Sequence, residues 1–173
     1  NRRLLSGVEA STGSLGQGLS IGVGHALSAM IDKRDFRVYV MIGDGELQEG
    51  QIWEAAMLAS SHELSDLTAI IDYNHFQQTG AVKDVMPSLY SLAEKWRAFG
   101  WHAEEVDGHN INKLLSVFEK IMHVNDKPQV IIANTSKGKN LTPFIKDEES
   151  HKHGKPLKPE EVEKALQELN KSH

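Results

Sequence analysis

Two short segments carry the residue types that could do chemistry. Gly43-Asp44-Gly45 ends the apolar run Phe36–Ile42, and Asn74 follows a second run, Leu67–Asp72. Between Gly45 and Asn74 lie 28 residues. Asp44 offers a hard anionic oxygen, and glycines on both sides let a ligand approach the backbone closely. If the two runs are adjacent strands, Asp44 and Asn74 stand side by side at one rim. One carboxylate, one amide oxygen and a nearby backbone carbonyl suit Mg²⁺ or Ca²⁺, with phosphate oxygens and water completing the shell. Taken alone, Gly-Asp-Gly is more often a simple turn at a strand end. Strand placement and the closing Asn74 are what favour cofactor binding.

The elements that must hold these residues follow from the apolar pattern. Phe36–Ile42, Leu67–Asp72 and Pro128–Ala133 read as buried strands, and Trp101–Val106 as a weaker fourth. Helical patterns cover Gly16–Met30, Gly50–His62, Ser88–Phe99, Asn110–Val124 and Pro159–Asn170. Asn110 is placed to cap a helix whose residues Ile111, Leu114, Leu115 and Phe118 share one face. Strand–helix alternation predicts an α/β fold, a parallel sheet with helices on both faces. In such sheets ligands collect at the carboxyl ends of the strands. The stretch 134–156, rich in Gly, Lys and His, reads as a functional or mobile loop. No internal repeat or low-complexity tract appears.

Composition narrows the class. The 173 residues are 39% hydrophobic, enough for one domain with a real core. Nineteen basic and 24 acidic residues give a net charge of −5, with both signs scattered. No basic stripe supports nucleic-acid binding. The chain has no cysteine, which fits a cytoplasmic location and excludes disulfides and thiolate metal sites. No apolar run approaches the roughly 20 residues of a membrane span.

The wider motif set resembles one family. Gly43-Asp44-Gly45 with its spacing to Asn74 resembles the thiamine diphosphate signature. Gly7-Val8-Glu9-Ala10-Ser11-Thr12-Gly13-Ser14-Leu15-Gly16-Gln17-Gly18 is similar to the transketolase segment that lies along that cofactor. Gly43-Asp44-Gly45-Glu46-Leu47-Gln48-Glu49-Gly50, Trp96–Trp101, Val106-Asp107-Gly108-His109 and His153-Gly154-Lys155-Pro156-Leu157 extend the likeness over almost the whole chain.

The resemblance implies a thiamine diphosphate-binding fold, diphosphate domain, over residues 1–173, expected to be incomplete at its N-terminus. It implies metal ligation by Asp44, Asn74 and the backbone carbonyl of Phe76, with Mg²⁺ expected and Ca²⁺ or Mn²⁺ as alternatives. It places Gly13, Ser14, Leu15, Gly45, Asn74, Lys137 and His153 against the cofactor, His153 also near the substrate as the catalytic histidine. Leu15 would supply an apolar face; the alternative is an ordinary core leucine. Glu49 and Glu54 match acidic residues proposed to share protons across a subunit interface. Glu46 reads instead as an exposed acidic residue at a helix start, favoured by the helix dipole. The sequence departs from the family where Lys152 replaces a tryptophan before the histidine, and His151 competes with His153. Glycine is commoner than His75 after the asparagine. His75 and His109 read as loop or structural residues.

The implied activity is transfer of a two-carbon ketol unit from a ketose phosphate to an aldose phosphate, a pentose phosphate pathway reaction. The glutamate that activates the aminopyrimidine lies, in this family, on a pyrimidine-binding domain absent here. The expected partner is therefore a pyrimidine-binding domain or subunit, in a homodimer or heterotetramer, and the chain alone is expected to be inactive. The helix ending near Ser172-His173 favours the two-chain form. Rival readings are an alpha-type 2-oxoacid dehydrogenase component, a deoxyxylulose phosphate synthase and a non-catalytic degenerate module. A dinucleotide site at Gly16-Gln17-Gly18 is disfavoured, because Gly22 falls one residue too late and no strong strand leads in.

Overall fold

The computed structural model describes residues 3–89, 91–141 and 153–171. In chain order the elements are α1 (Gln17–Asp32), β1 (Val38–Gly43), α2 (Gly50–Ser61), β2 (Leu67–Tyr73), β3 (Phe76–Gln77), β4 (Gly80–Ala81), α3 (Val82–Val85), α4 (Leu92–Ala98), β5 (His102–Asp107), α5 (Ile111–Ile121), β6 (Gln129–Asn134) and α6 (Pro159–Lys171). Four strands form one parallel sheet in the order β1-β2-β6-β5. Strands β3 and β4 form a separate antiparallel hairpin.

The central strands are mostly apolar because both of their faces are covered, and the buried polar pair in them, Thr68 and Gln129, is satisfied by a mutual hydrogen bond. Leu67, Ala69 and Ile71 of β2 and Val130, Ile131 and Ile132 of β6 are all buried. Leu19, Val23 and Ala26 of α1, Ile52, Ala55, Ala56 and Ala59 of α2, and Leu92, Ala93 and Trp96 of α4 pack on one face. Helix α5 covers the other through Ile121, with Leu114, Val117 and Phe118 partly buried on Val106, Ile131 and Ala133. Helices on both faces are the arrangement the alternation predicts. Among the described residues, no helix is long and apolar enough to cross a membrane.

Close packing of α1 on β1 depends on Gly22. A Cβ there would overlap Val40 Cγ2. Of the helix glycines at 18, 22 and 24, only Gly22 is required by this packing: a Cβ at 18 would be in ordinary contact with Val40 and one at 24 would meet nothing. Helix α2 is fixed by an aromatic group in which Trp53 lies 5.3 Å from Trp96 and 5.0 Å from Phe99 between ring centroids. The Trp101 indole donates to Ala56 O at 2.9 Å, and the Trp53 indole donates to Leu47 O at 2.9 Å. The second bond ties α2 directly to the turn that follows Asp44.

Several expectations need correction. The sheet strands other than β2 begin one or two residues later than the apolar runs, and all four extend one residue further. The expected Ser88–Phe99 helix is shortened to α4, its first residues lying in a 3-10 segment at Pro87–Leu89, and α3 is a separate short helix ahead of it. Pro87 disfavours helical backbone at Met86, which sits at φ −142° and ψ 67°, and Ser91 at φ 63° is left-handed. Asn110 does cap α5, its Oδ1 accepting from Lys113 N at 3.0 Å. The buried face of α5 is Leu114, Val117, Phe118 and Ile121, however, while Ile111 and Leu115 are exposed. The β3–β4 hairpin, with two residues a side, is too short to leave a periodic signal.

Candidate functional site

The parallel register brings the ends of β1 and β2 together. Gly43 pairs with Asp72, so Asp44 and Tyr73-Asn74 leave the sheet side by side. Asp44 is only 2% exposed. Its Oδ1 accepts from Gly45 N at 2.7 Å. Its Oδ2 is buried and has no hydrogen-bond partner among the described residues. Burial pushes the carboxyl pKa up, with the Asp72 charge adding to the rise, while the backbone amides of Gly45 and His75 and the His75 charge only partly oppose it. A buried, anionic, unpartnered oxygen is a position that a divalent cation would fill.

Asn74 lies beside it. The amide Oδ1 accepts from Phe76 N at 3.1 Å, and Nδ2 donates to Asp72 Oδ2 at 3.3 Å. Asp72 Oδ1 in turn accepts from the Thr135 hydroxyl, in the loop after β6. His75 takes left-handed backbone at φ 67° and packs against Tyr73 with ring centroids 4.1 Å apart and planes tilted by 53°. The commoner glycine is replaced here by a residue held in the same unusual region. No group of three or more His, Cys, Asp or Glu side chains among the described residues could hold a metal. The β3–β4 hairpin begins at Phe76 and lies over Gly45, where a Cβ would come 2.9 Å from Gln77 Cβ.

Glu46 departs from expectation. Rather than an exposed helix-start residue it is half-buried and turned inward. Its Oε1 accepts from Gly16 N at 2.8 Å and its Oε2 from Gly43 N at 3.1 Å. One carboxylate thus joins the start of α1 to the end of β1, because the short 3-10 turn at Gly45–Gln48 points position 46 back toward the sheet. No local sequence signal separates this Glu from the exposed Glu49, since the partners are main-chain groups.

The remaining candidates fall around the same end of the sheet. Gly13, Ser14 and Leu15 precede α1 and are exposed; Leu15, at 55% exposure, is not a core leucine in this chain. Glu49 and Glu54 are exposed at the start and on the surface of α2, and Glu49 Cβ would sit 3.0 Å from a Cβ at Gly16. Lys137 is half-buried, and its Nζ lies 3.2 Å from His153 Nδ1. An ammonium can only donate, so Nδ1 is the accepting nitrogen. His151 lies outside the described residues, as does the 142–152 part of the 134–156 loop. A cavity of 660 Å³ lies between the segment before α1 and the open edge of β1, lined by Val8, Thr12 and Gly18 together with His25, Tyr39 and Met41.

Comparison with known proteins places this geometry. The family described as "Transketolase, thiamine diphosphate binding domain" matches residues 2–172. The chain belongs to that family. It is 42% identical over 164 residues to an apulose-4-phosphate transketolase subunit of Phocaeicola vulgatus, covering 95% of this chain and 57% of that protein. It is equally 42% identical to a 6-deoxy-6-sulfo-D-fructose transketolase subunit of a Clostridium species, over 95% of this chain and 59% of that protein. The fold matches the crystal structure of Campylobacter jejuni transketolase with a TM-score of 0.82 at 28% identity, over 95% of this chain and 26% of that one. The chain thus spans somewhat over half the length of the subunit-type relatives and a quarter of the full transketolase. The transketolase resemblance and the thiamine diphosphate-binding fold are both borne out.

Proposed function

We propose that this transketolase-family chain is the diphosphate- and metal-binding component of an enzyme that moves a two-carbon ketol unit from a ketose phosphate to an aldose phosphate. The observation that carries the reading is the buried, unpartnered Oδ2 of Asp44 at the end of β1, with Asn74 beside it at the end of β2. In this reading Asp44, Asn74 and the Phe76 carbonyl would hold Mg²⁺, which would offset the negative charge of the diphosphate. Gly45 N–H, engaged by Asp44 Oδ1 here, serves the diphosphate, and Lys137 with His153 adds positive charge and a hydrogen-bonding ring at the same rim. Gly13, Ser14 and Leu15 form the wall beside the cofactor rings, and the exposure of Leu15 leaves its apolar side chain free for that contact. When bound, thiamine diphosphate supplies the nucleophilic carbon and the electron sink for carbon–carbon cleavage. This chain's part is to anchor, orient and neutralise the charged end.

The aminopyrimidine-activating group and the sugar-selecting residues are assigned to a pyrimidine-binding partner, with Glu49 and Glu54 on the exposed face of α2 that would meet it. The subunit-type relatives support a two-chain assembly, and their different sugar names leave the substrate to the partner-bearing complex. The cysteine-free composition supports a cytoplasmic setting. The test is calorimetric titration of thiamine diphosphate with Mg²⁺ into the chain mixed with its partner, alongside an Asp44→Ala variant. Metal-dependent binding lost in the variant is the expected result. Binding that ignores both Mg²⁺ and Asp44 would overturn the assignment. Ketol transfer by the chain on its own would overturn the divided site.

A further inference from the structure

The Asp107-Gly108-His109 segment follows β5 and has no part in the reading above. It nevertheless meets the loop that carries Lys137. Register pairs Asp107 with Asn134, so the exits of β5 and β6 run side by side. Gly108 N donates to Asn134 O at 2.8 Å. A Cβ on Gly108 would lie 2.6 Å from Thr135 Cγ2 and 3.2 Å from Asn134 O, so only glycine permits this approach. Asp107 Oδ1 accepts from His109 N at 3.0 Å and turns the chain back toward β6. The imidazole then reaches across: His109 Nε2 accepts from Ser136 N at 2.8 Å. Accepting there requires that Nε2 carry no proton. Ser136 immediately precedes Lys137, whose Nζ contacts His153.

We infer that His109 is a positioning residue: its imidazole fixes the Ser136 amide and so sets the direction in which Lys137 leaves the sheet. The role Lys137 plays toward the diphosphate rests on the proposed function; the tether itself does not. The three residues work as one device. Asp107 turns the loop, Gly108 lets the strand exits touch, and His109 closes the bond. His109 is exposed and adds nothing to the core, so its removal leaves the fold intact.

The test uses His109→Ala, His109→Gln, Lys137→Ala and the double variant His109→Ala/Lys137→Ala. Glutamine places an amide oxygen about where Nε2 stands. Amide hydrogen exchange reads the tether without any ligand. In His109→Ala the Ser136 amide is expected to exchange about three- to tenfold faster, the effect of losing one hydrogen bond, with the melting temperature little changed and most of the protection restored in His109→Gln. Thiamine diphosphate with Mg²⁺, titrated into the chain mixed with its partner, reads the consequence. His109→Ala should weaken binding by a similar factor in the native background and add nothing once Lys137 is alanine. Unchanged Ser136 exchange in His109→Ala would overturn the tether. Additive losses in the double variant would overturn the link to Lys137. Faster exchange together with no cofactor binding by the unmutated protein would uphold the tether and reject the cofactor reading instead.

Discussion

Replacing Asp44 by asparagine should make the metal-free protein more stable while abolishing its response to metal. Asp44 is 2% exposed, and only Oδ1 has a hydrogen bond; Oδ2 is buried without a partner among the described residues. Burial, reinforced by Asp72, holds the carboxyl pKa above its ordinary value despite the opposing Gly45 and His75 amides. The sign follows from proton binding. Between the ordinary aspartate value, near 3.9, and the raised native value, the folded protein keeps a proton that the unfolded chain has released. The unfolded state binds fewer protons across that window, so native stability falls as pH rises through it. The stability that Asp44 contributes is fully present below pH ~4 and lost above the native pKa.

Asparagine keeps the Oδ1 acceptor and removes the charge. The gain at neutral pH should be about 1–2 kcal/mol, within the cost of a buried unsatisfied polar group. At roughly 2–4 °C per kcal/mol for a chain of this size, the melting temperature should rise by about 2–8 °C at pH 7 and by almost nothing near pH 3.5. Saturating Mg²⁺ and thiamine diphosphate at about 100 times Kd should stabilise the parent protein in complex with its partner by about 2.7 kcal/mol and leave Asp44→Asn unmoved. Thermal melts from pH 3.5 to 8, with and without ligand, read all of this. A variant less stable than its parent at pH 7 without metal, or one still protected by Mg²⁺, would refute the reasoning.

Three further outcomes are expected. Glu46→Ala strands the amides of Gly16 and Gly43 and should cost about 1–3 kcal/mol in denaturant unfolding, with weaker cofactor binding because the 13–15 segment loses its tie to β1. Gly22→Ala should lower stability by about 1–3 kcal/mol by pushing α1 off Val40, although alanine is the better helix former, and Val40→Ala should recover part of the loss. Burial raises Glu104, but Lys120 at 2.6 Å and His102 at 2.7 Å outweigh it and hold its carboxyl below the usual range. That stability is present above pH ~4.3 and lost as pH falls through the lowered native value, so Lys120→Met should cost about 0.2–1 kcal/mol at pH 7, and the deficit should vanish in acid.

The parts of this molecule that repeat with a period are legible in its sequence. Buried β2 and β6 are dominated by apolar residues, many of them β-branched, and Asn110 announces its helix by chemistry that acts within three residues. Asp44 and Asn74 can be placed together because adjacent parallel strands convert a gap of 28 residues into a neighbouring position. The start of α4 escapes such a reading because apolar spacing alone does not register that Ser91 takes left-handed backbone and delays the helix to Leu92. The face of α5 differs from the expected one by a rotation, since Leu115 and Val117 look alike until the sheet shows which side is covered. Glu46 and His109 are invisible as functional residues for a common reason: each bonds to a main-chain amide far away in sequence, and an amide has no residue type to signal it.

These illegible contacts share a location. Glu46 joins the start of α1 to the exit of β1. Asp72 joins the exit of β2 to Thr135 after β6, and also holds Asn74. His109 joins the exit of β5 to Ser136 after β6. All four strand exits, and the segment before α1, are therefore cross-tied at the carboxyl end of the sheet by side chains that reach across it. Loops ordered in this way need not be ordered by the ligand, so less of the binding free energy is spent in fixing them. Against that satisfied network, the buried Oδ2 of Asp44 has no partner among the described residues. That one bare oxygen, in a rim whose other long-range donors are satisfied, is the feature on which the proposed cation site rests.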